Sequence, residues 1–392
     1  MPSGLMRKLN AMKTDSAPKP RAPLVPLIRR VHFYMADERL YSLAPEALRR
    51  IGYTGGAFDI EKALFLDTET TGLSGGAGTV AFLVGVGYIE KGRLTVEQIL
   101  MPTYAHESEM LEWISGLMAD KDTVIHFNGK TFDMPLLKSR FTMNRMQDKY
   151  YELNQLDLLH PAKRLWKLRL GSCRLSNLEK EILGFEREGD IPGSEVPERY
   201  FSYLKTNDLT LLEDVIDHNR QDIVTLSHLL LRLTDAFARP EENDDPMDQL
   251  SLGKAFEKLG EWDQAQKMYR VAATPRLTTT VRSIKSTDLG GEANLRLYHI
   301  YRRSSKYEEA LKVLECMVRR RQMGIYPKIE MCKLYEHRLG RLKDALRLTR
   351  EILPEADDVQ KEALLKREER LIRKIEKTKS VEEKKNGILS QL

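Results

Sequence analysis

Apolar and polar positions follow two different patterns along the chain, which predict strands in its first part and helices throughout its last part. Short apolar runs typical of buried strands occupy residues 63–66, 79–88, 93–100 and 123–127. Apolar residues at helical spacing predict helices over residues 107–119, 133–143, 176–183, 197–204 and 209–237. Beyond residue 246 the pattern is helical as far as a charged tail.

Interruptions of these patterns set the expected domain boundaries. Residues 1–30 are basic and rich in proline, which is typical of a flexible arm that either contacts phosphates or is simply solvated. Residues 240–246 place an acidic, turn-forming stretch between two prolines. We therefore expect an arm and short lead-in over residues 1–60, an α/β domain over 61–238, helical repeats over 247–353 and a charged helical tail over 354–392.

Composition narrows the class of protein. A chain of 392 residues has room for two or three domains. No apolar run is long enough to span a bilayer and no signal peptide is visible, so we expect a cytoplasmic protein without a membrane partner. The 3 cysteines are spread out, so a disulfide framework is not expected. Residues 1–60 carry the whole net charge of +5, which makes the charge weak evidence for nucleic-acid binding.

Two carboxylates end the first predicted strand. The segment reads Ala63-Leu-Phe-Leu-Asp67-Thr-Glu69-Thr-Thr-Gly72. Because a strand alternates its faces, Asp67 and Glu69 are expected to point the same way. Neighbouring carboxylates repel each other unless a cation or a proton lies between them, and oxygen ligands suit Mg²⁺ or Mn²⁺. The alternative is a solvated strand end with two ordinary surface acids.

Three further candidates lie later in the chain. Asp133 follows the predicted strand at 123–127 and an Asn-Gly turn, where it could cap a helix as well as hold a fixed carboxylate. His218 and Asp222 are four residues apart, on one face of the long predicted helix. Such a pair is also common as a simple surface contact.

A basic segment follows Asp157. It contains Lys163, Arg164, Trp166, Lys167 and Arg169. Basic residues interleaved with a tryptophan could line a nucleic-acid groove. A helix with a solvated basic face explains the same pattern equally well. Asp157 itself is a candidate for supporting the residues of a metal site from behind, or for a structural role.

Three similar segments recur in the helical part of the chain. Each ends in an alanine, namely Ala265, Ala310 and Ala345, at intervals of 45 and 35 residues. Small residues at such spacing resemble tetratricopeptide repeats, with an insertion in residues 274–291 accounting for the longer interval. Stacked repeats of this kind present a surface for a protein partner. The alternative is a generic helical bundle.

Taken in chain order, three motifs resemble the DEDD superfamily of 3′–5′ exonucleases. They are Asp67-Thr-Glu-Thr-Thr-Gly72, Asn128-Gly-Lys-Thr-Phe-Asp133 and His218-Asn-Arg-Gln-Asp222. The closer resemblance is to the YprB-type ribonuclease-H-like branch, through residues 157–161, residues 175–184 and Asp190-Ile-Pro-Gly193. This resemblance covers residues 63–237 and implies a ribonuclease-H-like mixed sheet flanked by helices, followed by an all-α helical-repeat domain.

The resemblance also implies a chemistry. Its metal ligands would be Asp67, Glu69, Asp133 and Asp222, and four carboxylates can hold two Mg²⁺ or Mn²⁺ ions. His218 would be a general base, although it stands at the H-x3-D spacing where the family has tyrosine, so its geometry should differ from that of the usual histidine branch. The expected activity is 3′–5′ exonucleolytic hydrolysis of single-stranded DNA or RNA. The alternative is a non-catalytic scaffold that binds nucleic acid through this fold and protein partners through the repeats.

Overall fold

The computed structural model describes residues 26–72, 78–146, 152–187, 189–274 and 286–389. Residues 1–25 of the expected arm, residues 275–285 of the expected insertion and the last three residues of the expected tail lie outside these ranges. The chain divides into two compact units. Unit 1 comprises residues 1–41, 58–156 and 187–227, and unit 2 comprises residues 42–57, 157–186 and 228–392.

A six-stranded mixed sheet forms the centre of unit 1. Its strands in spatial order are β1 (Ile28–Met35), β4 (Arg93–Leu100), β3 (Ala81–Glu90), β2 (Ala63–Thr70), β5 (Thr123–His126) and β6 (Asn154–Asp157). The pairs β1–β4, β4–β3 and β3–β2 are antiparallel, whereas β2 and β5 are parallel. Strands β2 to β5 follow the apolar runs of the sequence, since their side chains are almost all buried.

Strand β1 corrects the expected arm. Residues 28–30, which the sequence analysis assigns to that arm, pair with the end of β4. The guanidinium of Arg29, although exposed, lies 2.6 Å from the buried carboxylate of Glu97. An edge strand with one exposed face has no continuous apolar run, which is why the pattern did not reveal it. Strand β6 was missed because it also lacks a continuous apolar run, since only two of its 4 residues are buried.

The α-helices account for most of the remaining chain. In order they are α1 (Pro45–Ile51), α2 (Glu107–Met118), α3 (Asp133–Met143), α4 (Leu159–Leu170), α5 (Leu175–Leu178), α6 (Val196–Thr206), α7 (Glu213–Ala238), α8 (Pro246–Leu259), α9 (Trp262–Ala273), α10 (Ser286–Arg303), α11 (Tyr307–Arg319), α12 (Tyr326–His337), α13 (Leu342–Ile352) and α14 (Asp358–Leu389). Turns of 3₁₀ helix lie at Glu38–Ser42, Ile60–Lys62, Tyr104–His106, Leu209–Leu212, Pro240–Glu242 and Leu353–Glu355, and a π-helical turn extends α5 over Glu179–Leu183. Within the described ranges, no helix combines the length and apolar character needed to cross a membrane.

One apolar core joins the sheet of unit 1 to its helices. Buried residues of β2, β3, β4 and β5 contact buried residues of α2, α3, α6 and the first turns of α7. Tyr200 of α6 lies at its centre, where its ring stacks on Phe82 at a centroid distance of 4.0 Å and its hydroxyl donates to the Met101 carbonyl. The expected α/β fold with a mixed sheet and flanking helices is confirmed.

Unit 2 contains helical hairpins that share one turn geometry. The hairpins are α8–α9, α10–α11 and α12–α13, and each helix packs on the next along the chain. Every hairpin turn contains a left-handed residue, these being Gly260, Ser305 and Gly340, with φ of 77°, 57° and 66°. The following residues, Glu261, Lys306 and Arg341, have nearly the same backbone angles, with φ of −84°, −85° and −87° and ψ of 67°, 69° and 63°.

The second helix of each hairpin then places a fully buried alanine in its first turn. Ala265, Ala310 and Ala345 are each 0% exposed, and the amide of each donates to the carbonyl four residues earlier. A small side chain at this position lets paired helices approach closely. The repeated turn and the repeated alanine together show that three copies of one local structure follow each other along unit 2.

Candidate functional site

Helix α7 lies directly on strand β3 because two glycines of the strand leave room for it. A Cβ atom at Gly85 would come within 2.2 Å of Asn219 Oδ1, and one at Gly87 within 2.5 Å of Ile223 Cγ2. Larger residues would therefore push the helix away. Gly85 pairs with Asp67 across the two strands, so the part of α7 above it lies beside the first acid.

Asn219 of α7 links the helix to that acid. Its side chain is fully buried, and its Nδ2 donates to Asp67 Oδ2 at 2.8 Å. Its Oδ1 accepts a hydrogen bond from Gln98 Nε2 at 2.8 Å. Because Gln98 supplies an N–H to the amide oxygen, the amide nitrogen is the end that must face Asp67. The orientation of Asn219 is thereby determined from both sides.

Four acids come together at this point, and we call them the carboxylate cluster. They are Asp67, Glu69, Asp133 and Asp222. Burial raises the pKa of Asp67 well above its usual value, and the charges of the other three acids raise it further. The hydrogen bond from Asn219 acts in the opposite direction but does not outweigh them. The structure therefore places the acids of strand β2 and of helix α7 side by side.

Asp133 enters the cluster from the first residue of helix α3. It is 5% exposed, and one of its carboxylate oxygens accepts the Thr68 hydroxyl at 2.5 Å. Thr68 stands between the two acids of β2, so this bond ties the start of α3 to that strand. The residue before the helix is Phe132, so Asp133 does not act as the helix N-cap that the sequence left open.

Glu69 and His218 face each other within the cluster. The Nε2 atom of His218 lies 3.8 Å from Glu69 Oε1 and 3.7 Å from Asp222 Oδ2. Burial raises the pKa of Glu69 and the charge of His218 lowers it, while Asp222 and Asp133 raise it again, to about 8. Burial lowers the pKa of His218, but the charges of Asp222 and Glu69 raise it more, so the net shift is upward.

Arg187 supplies a positive charge at the edge of the cluster. Its side chain is 9% exposed and its guanidinium donates to the carboxylate of Asp222. Another guanidinium nitrogen lies 3.5 Å from Asp190 Oδ1 and 3.1 Å from His218 Nδ1. A buried carboxylate paired with arginine is stabilised in its charged form. Arg187 therefore compensates Asp222 more directly than it does the other three acids.

The donor chemistry of the cluster fits a hard divalent cation. All four acids offer oxygen ligands, and their mutual repulsion is of the kind that a cation relieves. Within the described ranges, however, no group of three or more His, Cys, Asp or Glu side chains is arranged to hold a metal ion. Asn219, Thr68 and Arg187 each engage one of the carboxylates in this arrangement.

The basic segment has structural contacts of its own, which belong to unit 2. Trp166 is 3% exposed, so its ring is not available to stack on a base. Arg164 donates to the Arg50 carbonyl, and Arg169 pairs with Asp248 at 2.8 Å. Lys163 and Lys167 are exposed and Arg164 and Arg169 are partly exposed, and nucleic-acid contact stays a prediction for these four basic residues.

Asp157 has a local role in the same unit. Its carboxylate accepts the backbone N–H of Leu159 at 3.0 Å, where helix α4 begins. It is 6% exposed, and the ring of His160 lies 4.0 Å away. A carboxylate that accepts a free N–H at a helix start stabilises that helix. The sequence analysis left a structural role open for Asp157, and this contact supplies one.

Three residues that contact the acids or His218 were not predicted from the sequence, namely Asn219, Arg187 and Asp190. Asn219 lies inside the motif His218-Asn-Arg-Gln-Asp222 but was given no role, and Arg187 belongs to none of the motifs. Asp190 did belong to a motif, Asp190-Ile-Pro-Gly193, which contributed to the family resemblance but was given no role in the site. The structure shows its carboxylate 2.6 Å from His218 Nδ1. A turn motif shared with a family was therefore the available signal for this residue.

Comparison with known proteins identifies the family. The sequence profile of the family RNase_H_2, described as RNase H superfamily, matches residues 64–234, and the profile TPR_7, a tetratricopeptide repeat, matches residues 250–280. The Bacillus subtilis (strain 168) protein named "Uncharacterized protein YprB" is 33% identical over 299 residues, covering 74% of this chain and 69% of that protein. The chain belongs to the YprB-type branch of the RNase H superfamily. The expected family and the expected tetratricopeptide repeat are thus confirmed.

Membership of the YprB-type branch supports a nuclease-type hydrolase as the class of enzyme. Among solved structures, this YprB-type chain resembles a family B DNA polymerase from the hyperthermophilic archaeon Pyrobaculum calidifontis, with a TM-score of 0.36 and 16% sequence identity. That similarity covers 54% of this chain and 29% of the polymerase chain.

Proposed function

We propose that unit 1 is a divalent-metal-dependent nuclease, specifically a 3′–5′ exonuclease acting on single-stranded DNA or RNA. The observation that carries the proposal is the convergence of four acids from β2, α3 and α7, with Asp133 tied to β2 through Thr68 and with Glu69 and Asp222 both facing His218 Nε2. Such a concentration of negative charge opposes folding, and proteins retain it mainly where a ligand needs it. The RNase H superfamily membership supplies the reaction class.

Each residue of the cluster has a proposed task. Asp67, Glu69, Asp133 and Asp222 would hold two Mg²⁺ or Mn²⁺ ions. Bound ions of this kind supply Lewis acidity, which makes water a better nucleophile and offsets charge on the attacked phosphate. His218 accepts the proton of the attacking water through Nε2, the ring nitrogen that faces the acids. Asn219 keeps Asp67 in place.

The test is cleavage of an end-labelled single-stranded oligonucleotide in Mg²⁺ or Mn²⁺. A 5′-labelled strand should shorten to a ladder of products, whereas a 3′-labelled strand should release labelled mononucleotide from the outset. Asp67→Ala should reduce the rate by about 10³-fold or more, since removing metal ligation forfeits several kcal/mol. Asp217→Ala is the matched control, because Asp217 lies on the same helix with its side chain 69% exposed.

Chelation by EDTA should have the same effect as Asp67→Ala. Activity that survives either change would refute metal-dependent catalysis at this site. A 5′-labelled strand that yields labelled mononucleotide at once would instead indicate the opposite polarity, and internal cuts in a circular single strand would indicate an endonuclease.

One observation favours a second function, that of a non-catalytic scaffold which binds nucleic acid. Arg187 already engages Asp222 in the described arrangement, and an acid satisfied by an arginine has less need of a metal. Under this alternative the wild-type protein binds a labelled oligonucleotide equally well with and without Mg²⁺ and leaves it uncut. The repeats of unit 2 would then serve for protein partners, as we also propose for the nuclease.

A further inference from the structure

The ring of His218 has a different partner at each nitrogen. Its Nε2 faces Glu69 and Asp222, whereas its Nδ1 lies 2.6 Å from Asp190 Oδ1. A guanidinium nitrogen of Arg187 also lies near Nδ1, at 3.1 Å. The two neighbours of Nδ1 require opposite protonation of that atom, because a carboxylate only accepts a hydrogen bond and a guanidinium only donates one.

The contacts favour a proton on Nδ1. Without that proton, a carboxylate oxygen would lie 2.6 Å from a nitrogen lone pair, and both atoms are acceptors. With the proton, the bond to Asp190 is charge-assisted and Arg187 loses little, since it donates to Asp222 and lies 3.5 Å from Asp190. His218 Nδ1 therefore keeps its hydrogen bond with Asp190, at 2.6 Å, and makes none with Arg187, at 3.1 Å.

Asp190 is itself held by the core of unit 1. The next residue, Ile191, is 5% exposed and belongs to the apolar core around the sheet. The residue before it, Gly189, has φ of 69°, which turns the chain sharply. The carbonyl of Pro192 accepts the amide of Glu195 just before helix α6 begins. A carboxylate between these anchored residues has little freedom to leave His218.

We infer that Asp190 is a positioning residue, which holds His218 as the tautomer protonated at Nδ1 and so presents an unprotonated Nε2 to the carboxylate cluster. In a neutral histidine one ring nitrogen carries the proton and the other does not. A hydrogen-bond acceptor beside one nitrogen keeps the proton there and leaves the other nitrogen bare. Asp190 thus fixes the ring from outside helix α7. The catalytic consequence rests on the proposed function, whereas the tautomer does not.

The tautomer can be measured without any activity. Metal-free protein labelled with ¹⁵N in its 8 histidine rings is examined by NMR at a pH where His218 is neutral, and His218→Gln identifies the resonances. The wild-type ring should show a protonated Nδ1 and a bare Nε2. Asp190→Ala should move the ring toward the opposite tautomer, since Arg187 can then donate to Nδ1. Asp217→Ala, on the same helix but exposed, should leave the signals in place.

Oligonucleotide cleavage in Mg²⁺ then tests the consequence. Asp190→Ala should lower kcat by about 10- to 100-fold, as is usual for a lost orienting partner, with KM within about 3-fold of the wild type. Asp217→Ala should change neither.

The outcomes separate the inference from the proposed function. A wild-type ring protonated at Nε2 overturns the inference by itself, even if no Asp190 variant folds. A fall in kcat with an unchanged tautomer overturns it as well. A protein with the expected tautomer that cleaves nothing leaves Asp190 as the partner of His218 and removes only the nuclease.

Discussion

Buried carboxylates occur in both units of the molecule, and their surroundings are opposite. In unit 1, burial and the other acids raise the pKa of Asp67 and bring that of Glu69 to about 8. In unit 2, the side chain of Glu336 is 0% exposed and accepts hydrogen bonds from Arg370 and Lys374 at 2.7–2.8 Å. Burial raises the pKa of Glu336, but those bonds lower it more, to about 2.

The difference distinguishes two reasons for burying an acid. Glu336 of helix α12 joins that helix to α14 through Arg370 and Lys374, so its negative charge is compensated by the chain itself and needs no ligand. The carboxylate cluster has too little positive charge around it, and its acids weaken the fold that holds them. A cation from outside the chain would remove that imbalance. The comparison therefore explains Glu336 as a structural acid and supports the ion binding that we propose for the carboxylate cluster.

The largest expected effect concerns stability: the same kind of substitution, a carboxylate replaced by its amide, should destabilise the protein at Glu336 and stabilise it at Asp67. Glu336→Gln should destabilise the protein by about 2 kcal/mol, because it removes the charge that two cations bind. Asp67→Asn should raise the thermal midpoint in EDTA, because it removes a repelled charge and keeps an oxygen for Asn219. Thermal and urea unfolding measure the stability change of both variants. In the cleavage assay, only Asp67→Asn should abolish activity.

Glu362→Gln is the control for this pair. Glu362 meets Lys366 on the surface with both side chains about 70% exposed, so its loss should cost less than about 0.5 kcal/mol. The comparison would fail if Asp67→Asn destabilised the metal-free protein as much as Glu336→Gln does. Asp67 would then be a structural acid like Glu336.

A smaller effect should come from moving the helix that completes the cluster. Gly85→Ala places a methyl group 2.2 Å from Asn219, which is buried and hydrogen-bonded on both sides. We expect a loss of about 1–3 kcal/mol from overpacking and a lower cleavage rate. Gly116→Ala is the matched control, because a Cβ atom at this exposed helical glycine meets nothing within 4 Å. It should stabilise by about 0.5–1 kcal/mol. Equal effects of the two changes would argue against a tight β3–α7 contact.

The elements and the local residue spacings are the part of the structure that the sequence predicts. The apolar runs placed strands β2 to β5, and helical spacing placed helices α2, α3, α6 and α7 within a few residues. Period two put Asp67 beside Glu69, and a spacing of four put His218 beside Asp222. These relations are local, so the spacing of residues along one element is enough to predict them.

The contacts that could not be predicted join distant parts of the chain. Asp190 reaches His218 over 28 residues, and Arg187 reaches Asp222 over 35, from a segment without periodicity. Strand β1 is defined by its antiparallel pairing with β4, a distant part of the chain, in which Val31 lies opposite Glu97. Trp166 fits an exposed basic helix and a buried helix equally, since periodicity does not say which face meets a neighbour.

The last expected effect is that the contributions of Glu69 and Glu336 to stability depend on pH in opposite ways. Burial and the neighbouring acids raise the pKa of Glu69 from its ordinary value of 4.5 to about 8 in the fold. Its favourable contribution to stability is therefore complete below about pH 4.5 and lost as the pH rises through 8. Glu336, at about 2 in the fold, contributes fully above 4.5 and loses this only as the pH falls toward 2. In EDTA, Glu69→Gln should therefore gain stability over the wild type as the pH rises from 5 to 9. The deficit of Glu336→Gln should stay constant over the same range. Added Mg²⁺ should flatten the wild-type profile, and a profile that Mg²⁺ leaves unchanged would show that the cluster does not take up the ion.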